Sequence, residues 1–314
     1  MMHEYGDGVY CVDARYVGKK GLAAVYLVRE GARTAVIDTA HNGALGPVLA
    51  AMERLSIERD EVDVILLTHV HLDHAGGAGS FMRAFPKARL VVHPRGVRHM
   101  VDPEKLVAGV EAVYGKEATE RMYGRLLPVP PERVASPEDG EEISFGDRTI
   151  VCLYTPGHAK HHMAFYDPRT RAVFAGDAFG VAYASDGYGK KAVPTTSPVQ
   201  FDPEAMHESI DRIVSLSPER VYLTHFGMIR DVVETAADLH RQVDDHVKLA
   251  RDSAGDFAEI KAGLLRLFEK EGLSRNWLSE GKDPDAPERG EMIDTLVELN
   301  AQGLNVWYGK VFEA

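Results

Sequence analysis

A cluster of four potential metal ligands constrains this chain more than any other feature of its sequence. Three histidines and one aspartate fall within six residues, in the stretch HVHLDH of residues 69–74. The cluster follows residues 62–67, a short apolar run rich in β-branched side chains, which predicts a buried strand that ends where the histidines begin. Because imidazole and carboxylate groups together suit zinc and related metals, the pattern indicates a metal site on the loop that leaves a strand.

Six residues are too few to enclose a metal ion, so this cluster needs ligands from elsewhere in the chain. We expect His69 and His71 to bind one ion, and Asp73 and His74 to bind a neighbouring ion. A carboxylate beside imidazoles adds negative charge and can orient a bound water. Two incomplete sites side by side therefore call for further histidines or carboxylates that the fold brings to the same place.

Three other strand-like runs end in a histidine or an aspartate. They lead into His158 after a Pro-Gly pair, into Asp177 after a glycine, and into His225. In layered α/β folds, ligands gather beyond the carboxyl ends of the strands, so four such strand ends can converge on one site.

The order of these motifs resembles that of the metallo-β-lactamase superfamily: His-x-His-x-Asp-His, a lone His after a Pro-Gly turn, a Gly-Asp and a final His. The resemblance covers roughly residues 9 to 230. It implies a first metal bound by His69, His71 and His158, a second bound by Asp73, His74 and His225, and Asp177 as the bridge. The implied cofactors are two divalent ions; this ligand set favours Zn²⁺, and Fe or Mn also suit it.

The resemblance also implies the fold, an α+β four-layer αββα sandwich followed by a C-terminal helical extension. We predict a catalytic domain over residues 1–229 and the extension over residues 230–314. Three short runs in residues 9–37 predict a β-meander, and 3.6-residue apolar spacing beyond Gly227 predicts two amphipathic helices, with a third over residues 291–301. The extension has no chemical motif, so it can pack on the core, cap the site or form a dimer interface.

The predicted function is hydrolysis of a small ester, lactone or thioester by a metal-bound hydroxide, with Asp73 as the catalytic residue that orients the water and carries its proton. The lactonase branch often has tyrosine where this chain has Gly180, and the glyoxalase II branch has a Gly-Cys-Gly-Arg-like stretch where it has residues 181–183. Substrate-binding residues are therefore unassigned. The diiron electron-transfer branch usually has Glu at the position of His71, which favours hydrolysis. A redox or non-hydrolytic module and a phosphodiesterase are the alternatives.

Several positions near the motifs have two interpretations. Asp38 follows a strand and either orients a ligand histidine or ends a turn. His161 and His162 either line the site or continue a polar loop. The long loop over residues 178–201 follows the bridging aspartate, so we expect it to cover the site and help to select the substrate.

Charge and composition bear on partners and compartment. The net charge of −12 argues against nucleic acid, because such binding draws on Lys and Arg, although a local basic pocket for a small anion is compatible with it. No apolar run approaches membrane-spanning length and no secretory signal is present, so we predict a cytoplasmic enzyme with a small-molecule substrate and no membrane partner. A homodimer is compatible with the sequence. Cys11 and Cys152 are expected to be buried free thiols.

Overall fold

The computed structural model describes residues 1–182, 191–196, 199–272 and 289–312. Part of the loop predicted over residues 178–201 therefore lies outside the described residues. So does most of residues 279–290, whose polar, proline-containing sequence predicts a connection between helices.

The first sheet has seven strands in sequential order. They are β1 (Met2–Gly6), β2 (Val9–Asp13), β3 (Ala24–Glu30), β4 (Arg33–Ile37), β5 (Val62–Leu66), β6 (Arg89–Val91) and β7 (Val134–Ala135). Strands β1 to β4 pair antiparallel, and β4 to β7 pair parallel. The predicted meander is confirmed. Edge strand β1 was missed because it buries only Tyr5 and so lacks an apolar pattern.

The second sheet has six strands in the order β13-β12-β11-β10-β9-β8. They are β8 (Glu142–Phe145), β9 (Arg148–Tyr154), β10 (Met163–Asp167), β11 (Ala172–Gly176), β12 (Arg220–Leu223) and β13 (Gly227–Ile229). A hairpin joins β8 to β9 around Gly146, where a Gly-Asp pair between two strand-like runs predicts a turn. Strands β11 and β12 run parallel, so Asp177 and His225 leave the sheet at the same edge.

Helices cover the outer faces of both sheets. They are α1 (Leu45–Arg54), α2 (Leu72–Ala75), α3 (Ala78–Ala84), α4 (Val97–Val101), α5 (Glu104–Tyr114), α6 (Lys116–Tyr123), α7 (Pro203–Ser215), α8 (Val232–Asp252), α9 (Phe257–Lys270) and α10 (Arg289–Phe312). Buried residues of α1 and α3 pack on the first sheet, and those of α7 to α10 pack on the second. This is the predicted αββα sandwich.

Both faces of the central strands are buried, and side chains alternate between two cores with the period of two that a strand imposes. In β3, Val25 and Leu27 face the helices, whereas Tyr26 lies in the core between the sheets. Cys11 and Cys152 are buried in that inter-sheet core as free thiols, as predicted, and burial raises the pKa of each to about 12.

The helical extension packs on the outer face of the second sheet. Leu239 of α8, Leu264 of α9 and Leu296 of α10 share one apolar core with Val221 of β12. The two predicted amphipathic helices are confirmed as α8 and α9, and the third is longer than predicted, since α10 continues to Phe312. The division into domains 1–229 and 230–314 stays a prediction. No helix in the described ranges is both long and apolar enough to cross a membrane.

A buried ion pair joins two strands of the second sheet. The Arg148 Nε atom donates to Asp167 Oδ2 at 3.1 Å, its Nη2 atom donates to the same oxygen, and its Nη1 atom donates to the Asp7 carbonyl. Both charged side chains are shielded from solvent. The Thr170 hydroxyl and the Arg169 amide also donate to Asp167, so without Arg148 the carboxylate would keep hydrogen bonds but lose its buried counter-charge.

We predict that Arg148→Met lowers the free energy of unfolding by about 3–5 kcal/mol, because it leaves the Asp167 carboxylate buried without its counter-charge. Urea unfolding measures the change. The matched control is Arg33→Met, which removes an ion pair with Asp63 in which the arginine is 48% exposed, and it should cost about 1 kcal/mol or less. Equal losses for the two variants would contradict the prediction.

Candidate metal centre

The motifs predicted from sequence converge at one edge of the sandwich. His69 follows β5, His158 follows β9, Asp177 follows β11 and His225 follows β12. All seven predicted ligands fall into three overlapping groups whose ligand atoms lie within 4.8 Å of one another. The groups are His69, His71 and His158; His69, His74 and Asp177; and Asp73, His74 and His225.

The first group is a set of three imidazoles. The His71 Nδ1 atom lies 2.8 Å from His69 Nε2 and 3.0 Å from His158 Nε2. His71 precedes the short helix α2 and is partly exposed, whereas His69 and His158 are buried. Three ring nitrogens therefore point at one small volume that is open towards solvent on the His71 side.

The second group lies beside the first and includes a carboxylate. His74 Nε2 is 3.1 Å from His225 Nε2, which in turn is 3.2 Å from Asp73 Oδ2. Asp73 and His74 both lie in the single-turn helix α2, whereas His71 comes just before it. The start of this helix therefore divides the ligands of the second group from His71 of the first. The Asp73 side chain is 29% exposed, so it stands at the solvent side of the group.

Asp177 lies between the two groups. Its Oδ1 atom is 3.3 Å from His74 Nε2, and its Oδ2 atom is 3.5 Å from His158 Nε2. Gly176 fixes this position, because a Cβ atom there would come within 2.6 Å of His162 Nε2 at a φ of +51°. The Asp177 carboxylate thus directs one oxygen to each group, and Oδ1 is buried without a hydrogen-bond donor.

Fixed acceptors set the tautomers of three of the histidines. The Nδ1 atom of each donates to a protein oxygen: His74 to Asp38 Oδ2 at 2.8 Å, His158 to the Thr195 carbonyl at 3.2 Å, and His225 to the Leu22 carbonyl at 2.6 Å. In a neutral imidazole the other nitrogen then carries the lone pair. When these rings are neutral, all three therefore present Nε2 lone pairs to the centre, and the second nitrogen of a metal-binding histidine usually has a partner of this kind.

This arrangement fits bound cations. Two lone-pair nitrogens that face each other at 3.1 Å, as in His74 and His225, repel unless a proton or a metal ion lies between them. The same holds for the three imidazoles around His71 Nδ1. The donor set is three imidazoles in the first group, two imidazoles and the Asp73 carboxylate in the second, and the Asp177 carboxylate between them. Zinc and similar divalent ions prefer such donors.

The charges of the site without metal follow from the same geometry. Burial and neighbouring imidazoles hold the pKa of His69 and His71 well below the usual value. Burial also opposes a charge on His74, yet the surrounding carboxylates, Asp177 first, raise its pKa well above the usual value. Burial would raise the pKa of Asp73, but the charged His74 ring lowers it overall, so Asp73 is a carboxylate at neutral pH.

Asp38 orients a ligand, which was one of its two interpretations. Its carboxylate accepts hydrogen bonds from His74 Nδ1, from the Thr68 amide and hydroxyl, and from the Thr224 hydroxyl. His162 has a similar supporting role, because its Nδ1 contacts the Thr155 hydroxyl and its Nε2 accepts from the Asp177 amide. Both nitrogens of His162 are therefore used by the protein.

Sequence reasoning missed the partner of His158. The Thr195 carbonyl belongs to a segment held by Asn300 of α10, whose Oδ1 atom accepts from the Thr196 amide at 2.6 Å and whose Nδ2 atom donates to the Pro194 carbonyl. Asn300 and Thr196 are fully buried. No local motif marks such a contact, because Asn300 lies more than a hundred residues from its partners. The polar residue in the apolar stripe of α10 was the available signal.

Comparison with known proteins agrees with this geometry. The profile of the metallo-beta-lactamase superfamily matches residues 18–225. The metallo-beta-lactamase fold-containing protein ST1585 of Sulfurisphaera tokodaii is 28% identical over 226 residues, which are 71% of this chain and 79% of that protein. Its crystal structure, described as from Sulfolobus tokodaii, has a TM-score of 0.65 and 24% identity, covering 95% of this chain and 98% of that chain.

Two other relatives are named for the thioesters that they cleave. The hydroxyacylglutathione hydrolase of Aeromonas salmonicida is 27% identical over 64% of this chain, and the acyl-coenzyme A thioesterase MBLAC2 of Bos taurus is 28% identical over 55%. The matched segments span 60% and 63% of those proteins. With the profile matched over most of the sandwich, this chain belongs to the metallo-β-lactamase superfamily and is a metal-dependent hydrolase.

Proposed function

We propose that this chain hydrolyses a small thioester at a centre of two divalent metal ions, with Zn²⁺ as the favoured ion and Fe or Mn as alternatives. The observation that carries the proposal is the pair of three-ligand groups with Asp177 between them. The thioester class is supported by the names of two relatives, which act on glutathione and coenzyme A thioesters. Simple esters and lactones are the other substrates for the same chemistry.

The seven residues would divide between the ions as the geometry divides them. His69, His71 and His158 would hold one ion, Asp73, His74 and His225 the other, and Asp177 would contact both. When bound, such ions lower the pKa of a coordinated water and polarise the carbonyl oxygen of the substrate.

The reaction adds water across the C–S bond. The water oxygen bonds to the carbonyl carbon, the C–S bond breaks with its electrons on sulfur, and one proton of the water ends on the thiol. Asp73 would hold that water, since its carboxylate is the partly exposed one of the two aspartates. Asp73 would also carry the proton that the water loses on its way to the sulfur.

The buried side of the centre excludes water, so it limits the direction from which a substrate can approach. His69, His74 and Asp177 are buried, whereas His71 and Asp73 face the opening. A substrate carbonyl must therefore approach from the side of His71 and Asp73.

The remaining expectations about partners and compartment stay proposals. We propose a small-molecule substrate and a cytoplasmic setting, without nucleic acid or membrane as partner; the net charge of −12 supports the first exclusion. A homodimer is also part of the proposal, and its test is the mass of the protein in solution by light scattering.

We predict that reconstituted protein binds about two divalent ions per chain, because seven ligands exceed the four of a single tetrahedral zinc site. Elemental analysis gives the stoichiometry. His225→Ala should reduce it to about one ion, whereas His207→Ala, a histidine of α7 outside the seven ligands, should leave it unchanged. A maximum of one ion, unaffected by Asp73→Ala and His225→Ala, would refute the two-ion centre.

We predict that Asp73→Asn lowers kcat by about 10²- to 10⁴-fold, the usual range for general acid–base assistance, while most of the metal stays bound. Asn has nearly the same shape as Asp but cannot accept the proton. Thioester hydrolysis is measured beside metal content, and Asp244→Asn, at an exposed residue of α8, is the control. A variant that retains most of its rate with both metals bound would show that Asp73 does not carry the proton.

A further inference from the structure

A basic pocket lies next to the metal centre and has no part in the chemistry described so far. Its volume is about 420 Å³, and it is lined by Pro94, Arg95, Arg98, His99, Lys160, His161 and Gln200. These residues come from two places: the turn and helix α4 that follow β6, and the segment just after His158 together with the approach to α7.

The pocket shares a wall with the metal centre. Lys160 and His161 follow His158 by two and three residues, and the His161 ring lies 5.6 Å from the His71 ring, between centroids. His71 is on the open side of the centre. A molecule whose reacting carbonyl reaches that opening can therefore extend past His161 into the pocket.

Charge distinguishes this pocket from the rest of the chain. Three of the seven lining residues are Arg or Lys and none is a carboxylate, in a chain with a net charge of −12. Arg95, Arg98 and Lys160 are exposed, and none of them forms an ion pair within the described ranges. Three cations without counter-charges make a local field that attracts an anion.

The wall of the pocket also has a free polar group. His161 is 6% exposed, and its Nδ1 atom is buried with no hydrogen-bond partner. Buried polar atoms are nearly always paired in proteins, so an unpaired one beside a pocket indicates a partner that binds there. The Gln200 Oε1 atom is already used within the protein, because it accepts a hydrogen bond from the Lys160 amide at 2.8 Å.

We propose that this pocket binds the anionic carrier of the thioester, so that Arg95, Arg98 and Lys160 select substrates whose thiol bears phosphate or carboxylate groups. This assignment rests on the proposed function, because the molecule bound in the pocket would be the thiol that leaves in that reaction. Guanidinium groups form paired hydrogen bonds with either anion, and lysine adds a point charge. Coenzyme A carries phosphates and glutathione carries carboxylates, and the cations of the pocket would bind either group.

The test uses three thioesters with the same butyryl group: butyryl-coenzyme A, S-butyrylglutathione and the uncharged butyryl-N-acetylcysteamine. For a charged substrate, Arg98→Gln should lower kcat/KM about tenfold, mainly by raising KM. The double variant Arg95→Gln with Arg98→Gln should lower kcat/KM further. Each lost charge-assisted hydrogen bond weakens binding by about tenfold or more. The uncharged thioester should be hydrolysed at an unchanged rate. The loss should shrink as ionic strength rises.

The control is Arg266→Gln, which removes an exposed arginine of α9 outside the pocket and should change none of the three rates. The charged thioester that loses kcat/KM selectively identifies phosphate or carboxylate as the anion recognised. Equal losses on charged and uncharged thioesters, or no loss on either charged one, would overturn the pocket assignment.

A binding measurement separates this proposal from the proposed function. If the wild type hydrolyses none of the three thioesters, the reaction is wrong, and calorimetry with the inert thioethers S-ethyl-coenzyme A and S-ethylglutathione still tests the pocket. Binding of either thioether by the wild type and Arg266→Gln, with loss in the double variant, supports the pocket. Absent binding, or equal binding by all three proteins, overturns it.

Discussion

The hydrogen bonds to the buried Asp38 carboxylate hold the rest of the site in place. Asp38 follows β4 and accepts hydrogen bonds from Thr68 after β5 and from Thr224 after β12, so one side chain ties the first sheet to the second. It also accepts the Nδ1 proton of His74. In a buried environment each of these donors would be costly to leave unpaired, so the carboxylate fixes where both sheet edges meet.

Acceptors outside the centre decide which nitrogen three of the ligand histidines, His74, His158 and His225, present to it. Asp38 and two backbone carbonyls take the Nδ1 protons, which leaves Nε2 lone pairs crowded at distances near 3 Å. One of those carbonyls belongs to Thr195, in a segment that Asn300 of α10 holds. The helical extension therefore supports the metal centre through a hydrogen-bonded chain, besides its apolar packing on the second sheet.

The exposed side of the centre and the basic pocket point in one direction. The deep ligands are buried in the sandwich, and His71, Asp73 and then His161 lead outward to Arg95 and Arg98. Under the proposed function, this order would put the reacting bond at the metals and the carrier on the cations. The net negative charge of the chain opposes the binding of long polyanions. The local positive charge of the pocket can still bind a small anion.

Local patterns in the sequence predict most of the strands, their alternation and the seven candidate ligands, because strand periodicity and the HVHLDH cluster are visible in a chain without its fold. The motif order also predicted the αββα sandwich. It could not supply the contact of His158 with Thr195, the support from Asn300 or the pocket of Arg98 beside His161. Those contacts join residues of α4, of the segment after β9 and of α10, which lie far apart along the chain, so they depend on how the sheets and helices pack together.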